Sequence, residues 1–419
     1  MLKTQLEDLA IFGADPAFAE KLHVGRPNIG DRDLFLKHVN TILDNRWLSN
    51  NGPFVQQLEQ ELAKFLGVKH CIPTCNGTVA LEIAIRACGL KGEVIVPSFT
   101  FIATPHALQW QEITPVFCDI DPETHLIDPE KVEALITPRT TGILAVHLWG
   151  QPCNVEALTG IAKRHNLKLL FDASHAFACS YDDQMIGGFG NAEVFSFHAT
   201  KFFNTLEGGA IATNDDELAA KIRLMKNFGF SGYENVIYIG TNGKMNEVSA
   251  AMGLTSLKNM AQTIEINQRN YHLYKQGLEG ISALRFLAYV ESEKFNYQYI
   301  VCELNTDITQ FSRDQFIEIL WAENILARRY FHPGCHRMEP YRSYFPHAGL
   351  LLPHTERVTD RVFLLPTGQT INPLMIEEIC ELINLILTNS QDIISKLKHS
   401  GHVNSYFINS LSQFYSNRI

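Results

Sequence analysis

The chain has 419 residues, more than one hydrophobic core usually organises, so two lobes are expected. Hydrophobic residues make up 46% and charged residues 19%, without biased tracts, which predicts a globular fold. The formal net charge of -10 argues against a general nucleic-acid binder, and an anionic small substrate would need a local Arg/Lys cluster.

The chain begins MLKTQLEDLA, with no basic stretch before an apolar core, so no signal peptide is expected. No apolar run reaches the roughly 20 residues of a membrane span, so no membrane partner is expected. Nine cysteines are scattered, and Cys71 and Cys75 lack a second pair to complete a zinc site. Reduced thiols, a cytoplasmic location and no metal are the expectation.

Residues 1–45 read as a polar lead-in with some helix, and VGRPNIGDRD at 24–33 as a turn-rich entry. From 46 to 265, short β-branched runs alternate with helical segments. Strand candidates are 94–98, 115–120, 142–149, 168–174, 192–197 and 209–214. Helical stretches at 79–90, 129–136 and 155–166 separate several of them. This alternation predicts a large α/β domain with a mostly parallel sheet covered on both faces. A long helix over 246–278 leads out of it, and 266–389 reads as a smaller α+β C-terminal domain. Residues 390–419 form a tail of helix-like spacing that turns polar.

Three segments carry chemistry. In CNGTVALEIAI at 75–85, Gly77 and Thr78 open a helix whose free amides suit a phosphate; the plain alternative is Thr78 as an ordinary cap. In FDASHAF at 171–177, an apolar strand ends in Asp172, with His175 three residues later. That edge of a parallel sheet is where ligands bind, although a helix-capping Asp has the same spacing. In SFHATKFFNTLEGG at 196–209, Lys201 sits among aromatics, and Ser196 offers a hydroxyl. Apolar surroundings disfavour an ammonium and make the amine a better nucleophile; a snorkelling lysine is the plain alternative. Together they provide a phosphate cradle, an anion and an amine, the three contacts that pyridoxal 5'-phosphate (PLP) requires.

These stretches, with WLSNNGPFVQQLE at 47–59, VPSFTFIAT at 96–104, TNGKMNEVSAAMGL at 241–254 and ARRYFHPG at 327–334, make the chain similar to the DegT-type nucleotide-sugar aminotransferases, a branch of the fold-type-I PLP enzymes. The resemblance implies that Lys201 forms the Schiff base with PLP and later moves the proton. It implies that Asp172 pairs with the pyridine nitrogen, His175 lies beside the ring and Phe101 stacks on it. Gly77, Thr78 and Ser196 would hold the phosphate, joined by Asn242 from the second subunit of a homodimer with shared active sites. Relatives with histidine at the lysine position are sugar dehydratases, so Lys201 favours transamination. Asn76 stands where many members have Ser.

L-Glutamate is the implied amino donor. The acceptor's diphosphate and base are expected at Arg328 and Arg329, beside Tyr330, Phe331 and His332, with Lys244 across the dimer; a solvated charge pair is the plain alternative. Asn50 and Asn51 face the hexose or simply make a turn. The motifs look closest to members that convert dTDP-4-keto-6-deoxyglucose to dTDP-4-amino-4,6-dideoxyglucose. Such products enter surface polysaccharides, O-antigen among them, or secondary metabolites. C3-acting and GDP- or UDP-sugar relatives share the cofactor site, and a non-catalytic sensor is the reading from another class.

Overall fold

The computed structural model describes residues 3–290, 292–309 and 311–399; the final part of the tail, 400–419, lies outside the described residues. Seven strands lie side by side in the order His70–Thr74, Gly209–Thr213, Ala192–Ser196, Lys168–Asp172, Thr140–Val146, Glu93–Pro97 and Thr114–Cys118. Gly209–Thr213 runs antiparallel to both neighbours, and the remaining pairs are parallel. The edge strand His70–Thr74 was not expected from the sequence, because Pro73 removes a ladder donor. At a sheet edge that donor is dispensable.

Side-chain parity distributes the core. Val94, Val96, Leu144, Leu170 and Val194 belong to one buried cluster with Ala80, Leu81 and Ile83 of the helix Gly77–Ala87. Ile95, Ile143, Ala145, Leu169 and Phe171 point to the opposite cluster, where Leu158 and Ile161 of the helix Val155–Arg164 cover them. Alternation of this kind, apolar on both faces, accounts for the near-continuous apolar runs in the sequence.

A second, antiparallel sheet orders Leu284–Phe286, Ile300–Leu304 and Val362–Leu365. Val301 and Leu364 share a buried cluster with Ile95 and Ile143, so the two sheets meet through one apolar core. The long helix Glu247–Gly277 packs on the helices Arg32–Asn45, Pro53–Leu66 and Pro373–Thr388. Its buried Glu247 accepts from the amides of Phe54 and Val55 at 2.9 Å, supplying the cap that Gly52 lacks. Ser390–His399 continues as a helix.

The lead-in is stitched into the fold. Glu323, fully buried, accepts from the amides of Ala10 at 2.7 Å and Ala17 at 2.8 Å and pairs with Lys3 at 2.7 Å. Asn324 Nδ2 donates to the Phe18 carbonyl at 2.7 Å. Glu323→Ala leaves the Lys3 ammonium and both amides without their carboxylate. It should lower stability by about 3 kcal/mol, read as the urea midpoint, and expose the first twenty residues to protease. A loss below about 1 kcal/mol would show that this carboxylate does not anchor the arm.

Candidate active site

The C-terminal ends of the parallel strands open into a cavity of about 1260 Å³, as expected for ligand sites of open α/β sheets. Asp172 is the last residue of the strand Lys168–Asp172 and is 5% exposed. Its carboxylate accepts from Thr104 Oγ1 at 2.8 Å, from Ser174 Oγ at 2.6 Å and from the Ser174 amide at 3.1 Å. The last two bonds form a turn rather than a helix cap, so the capping alternative does not hold. Three donors fix an anion at the cavity wall that no cation of the protein neutralises by direct contact among the described residues.

Lys201 lies on the loop after the strand Ala192–Ser196 and is half-buried in the cavity. Its Nζ is 3.2 Å from Tyr299 Oη. Burial pushes the Lys201 ammonium down to about 8, against the opposing pull of the Asp172 carboxylate. Burial also holds the Tyr299 phenol well above its ordinary range, so Tyr299 stays neutral and accepts from the lysine without bringing a counter-charge. Tyr299 is a site residue that the sequence did not disclose. It lies about a hundred residues from the lysine, just before the strand Ile300–Leu304, and only the packing of the two sheets unites them.

His175 is buried in the cavity wall. The Trp149 amide donates to its Nδ1 at 3.3 Å, and burial and Lys201 lower its pKa well below the usual value. The imidazole is therefore neutral, with its proton on Nε2. Its ring stacks with Trp149 and Phe331 at centroid distances of 5.9 and 6.0 Å. Phe101 lines the cavity with 57% of its surface uncovered, an aromatic face available to a planar ring.

The N-terminus of the helix Gly77–Ala87 opens onto the cavity. Asn76, not Thr78, is the cap: its Oδ1 accepts from the Val79 amide at 2.8 Å. Gly77, Thr78 and Ser196 all line the cavity. A Cβ on Gly77 would stand 2.9 Å from Ser196 Cβ, so only glycine lets this helix end approach the strand. The first amides are left over by the helix itself and suit a phosphate. A helix N-terminus, a carboxylate, an amine and an aromatic face line one cavity, and this set of groups fits PLP, with Lys201, Asp172 and the Asn76–Thr78 turn as the residues that would hold it.

Other expected residues lie elsewhere. Arg329 is turned out of the cavity, pairing with Asp314 at 3.2 Å and lying over the Trp321 ring. Arg328 and Tyr330 line the cavity instead. The segment is extended, Arg328 bridging to Leu364, so adjacent side chains face opposite ways. His332 follows beyond that wall, with Nδ1 3.7 Å from Asp360. Asn51 occupies an exposed turn at φ 59°, where its carbonyl accepts from Gln56 Nε2 at 2.8 Å. Asn242 is exposed and Lys244 Nζ sits 4.6 Å from the Phe228 ring centroid; neither lines this chain's cavity.

Residues 30–384 match the DegT/DnrJ/EryC1/StrS aminotransferase family. The chain belongs to this family and is a PLP-dependent aminotransferase. It is 39% identical over 312 residues, 74% of this chain and 85% of the relative, to the dTDP-4-amino-4,6-dideoxy-D-glucose transaminase of Shigella dysenteriae. The Escherichia coli protein of that name is 36% identical over 363 residues, 86% and 97% of the two chains. Among solved structures, DesI, crystallised in the presence of its TDP-sugar product, superposes with a TM-score of 0.90 at 45% identity, covering 94% of this chain and all of that one. Among the described residues no helix is long and apolar enough to cross a membrane.

The lowered lysine pKa gives a pH test. Lys201 must be neutral to attack an aldehyde, so the rate at which PLP-free protein captures PLP should rise with pH to a plateau, with a midpoint near 8. An ordinary lysine would place it above 10, and stopped-flow absorbance separates the two.

Proposed function

We propose that this enzyme transfers the amino group of L-glutamate to C4 of dTDP-4-keto-6-deoxyglucose, giving dTDP-4-amino-4,6-dideoxyglucose and 2-oxoglutarate. The observation that carries the chemistry is the neutralisable Lys201 amine facing the fixed Asp172 carboxylate across one cavity. The names of the relatives support the nucleotide and the carbon position. Bound PLP supplies an aldehyde for amine exchange and a ring that takes up the electron pair released at carbon.

The protein's part follows from its groups. Asp172 presents an anion to the ring nitrogen and favours its protonated form. The neutral His175 offers Nε2–H as a donor beside the ring. With its pKa near 8, Lys201 Nζ takes the proton from the α-carbon of glutamate and returns it at nearby atoms without a large penalty in either direction. In the second half the same amine moves the proton at C4 of the sugar.

A homodimer is part of this reading. Phe228, Phe230, Tyr233, Val236, Ile237 and Ile239 form an exposed apolar run next to Asn242 and Lys244. Exposed patches of this kind mark association surfaces. A second copy seated there brings Asn242 to the neighbour's phosphate and Lys244 to its substrate. All nine cysteines are free thiols, which suits a reducing cytoplasm.

The test is product analysis. Enzyme, PLP, L-glutamate and dTDP-4-keto-6-deoxyglucose should give a C4 amine by NMR, with one 2-oxoglutarate per amino sugar. Lys201→Ala should reduce turnover at least about 10³-fold. An amine at C3, or turnover only with GDP- or UDP-linked acceptors, would contradict this substrate assignment; substantial turnover by Lys201→Ala would contradict the mechanism.

A further inference from the structure

The lead-in forms a wall of the cavity. Its short strand Leu22–His23 lies parallel to Ile325–Leu326, with Leu22 opposite Ile325 and His23 opposite Leu326. Extended backbone sends successive side chains to opposite faces. Leu22 is buried in the core, so Lys21 and His23 turn the other way and line the cavity. On the adjoining stretch the same alternation directs Leu326, Arg328 and Tyr330 to the cavity.

The chain then crosses to the lysine loop. Gly25, at φ +74°, passes so close that a Cβ there would stand 3.3 Å from Thr200 Cβ. Asn28 Nδ2 donates to the Phe202 carbonyl at 3.3 Å, and Asn204 Nδ2 donates to the Asn28 carbonyl at 2.9 Å. Residues 20–28 are a strap held at both ends, and Arg26 lines the cavity between the two holds.

Among the described residues, no carboxylate forms an ion pair with Lys21, Arg26 or Arg328. Three unneutralised cations at one cavity, in a chain of net charge -10, make a local anion site against the overall field. Glu20 and Glu207 also line the cavity, so the cations outnumber the carboxylates of the outer wall. The cavity of about 1260 Å³ also exceeds the usual size of a single small-ligand pocket, leaving room for a second ligand beside the cofactor.

We propose that the strap is the diphosphate subsite, with Lys21 and Arg26 in the same chain holding the two phosphates together with Arg328. This rests on the nucleotide-sugar reading given above. The strap lies at the outer wall of the cavity, which Lys21 and Arg26 line together with Arg328, so it serves as a substrate-selecting element.

The experiment compares dTDP binding to PLP-loaded enzyme by calorimetry in the parent, Lys21→Met/Arg26→Gln and Lys21→Arg/Arg26→Lys. The neutral variant keeps the aliphatic bulk; its dTDP dissociation constant and its KM for the sugar nucleotide should rise at least tenfold, with kcat within twofold. The charge-conserving variant should stay within threefold of the parent. Affinity of the neutral variant within twofold of the parent overturns the proposal, as does equal loss in both variants, which marks a packing role. A parent enzyme that converts L-glutamate to 2-oxoglutarate on its cofactor yet binds no dTDP overturns the dTDP-sugar assignment, and the proposal with it.

Discussion

A carboxylate and an amine that do not neutralise each other define this molecule. Asp172 is satisfied by Thr104 and Ser174, hydroxyl and amide donors that bring no positive charge. Lys201 is held instead by a neutral phenol. Burial disfavours the ammonium, and a direct ion pair with Asp172 would have reversed that effect. Keeping the two groups in one cavity but on separate hydrogen-bond partners is what the proposed roles need, an anion for a ring nitrogen and an amine for an aldehyde.

The architecture maintains that separation. Asp172 ends a strand in the middle of the seven-stranded sheet, and the adjacent strand ends in Ser196, five residues before Lys201. Tyr299 immediately precedes the strand Ile300–Leu304 of the small sheet, and Asn296 and Gln298 beside it both donate at 2.8 Å to the carbonyl of His175. The small sheet thus sets both the lysine's partner and the histidine's backbone. Displacing it would disturb the lysine and the ring neighbour together.

Much of the centre was legible because its signals are local. Asp172 ends an apolar run, Gly77 opens a helix, and Lys201 sits among aromatics, so short windows disclosed each. Tyr299 and Thr104 escaped because an isolated Tyr or Thr carries no signal of its own; each acquires meaning from a partner far away in the chain. The choice between Arg328 and Arg329 escaped for another reason: a one-residue change of register exchanges the faces of an extended segment, and two adjacent arginines give no clue to the register. The strand Leu22–His23 escaped because it has two residues, one buried and one facing the cavity, too short a pattern to show in the sequence.

The most direct test of the central claim is the single-turnover reaction of PLP-loaded Asp172→Asn with L-glutamate, followed by the cofactor's absorbance. The amide keeps the shape of the carboxylate but carries no charge, so cofactor binding should survive while the rate falls by about 10²-fold or more. A rate within a few-fold of the parent would mean that the anion at the end of this strand does not serve the ring, and the account would fail at its centre.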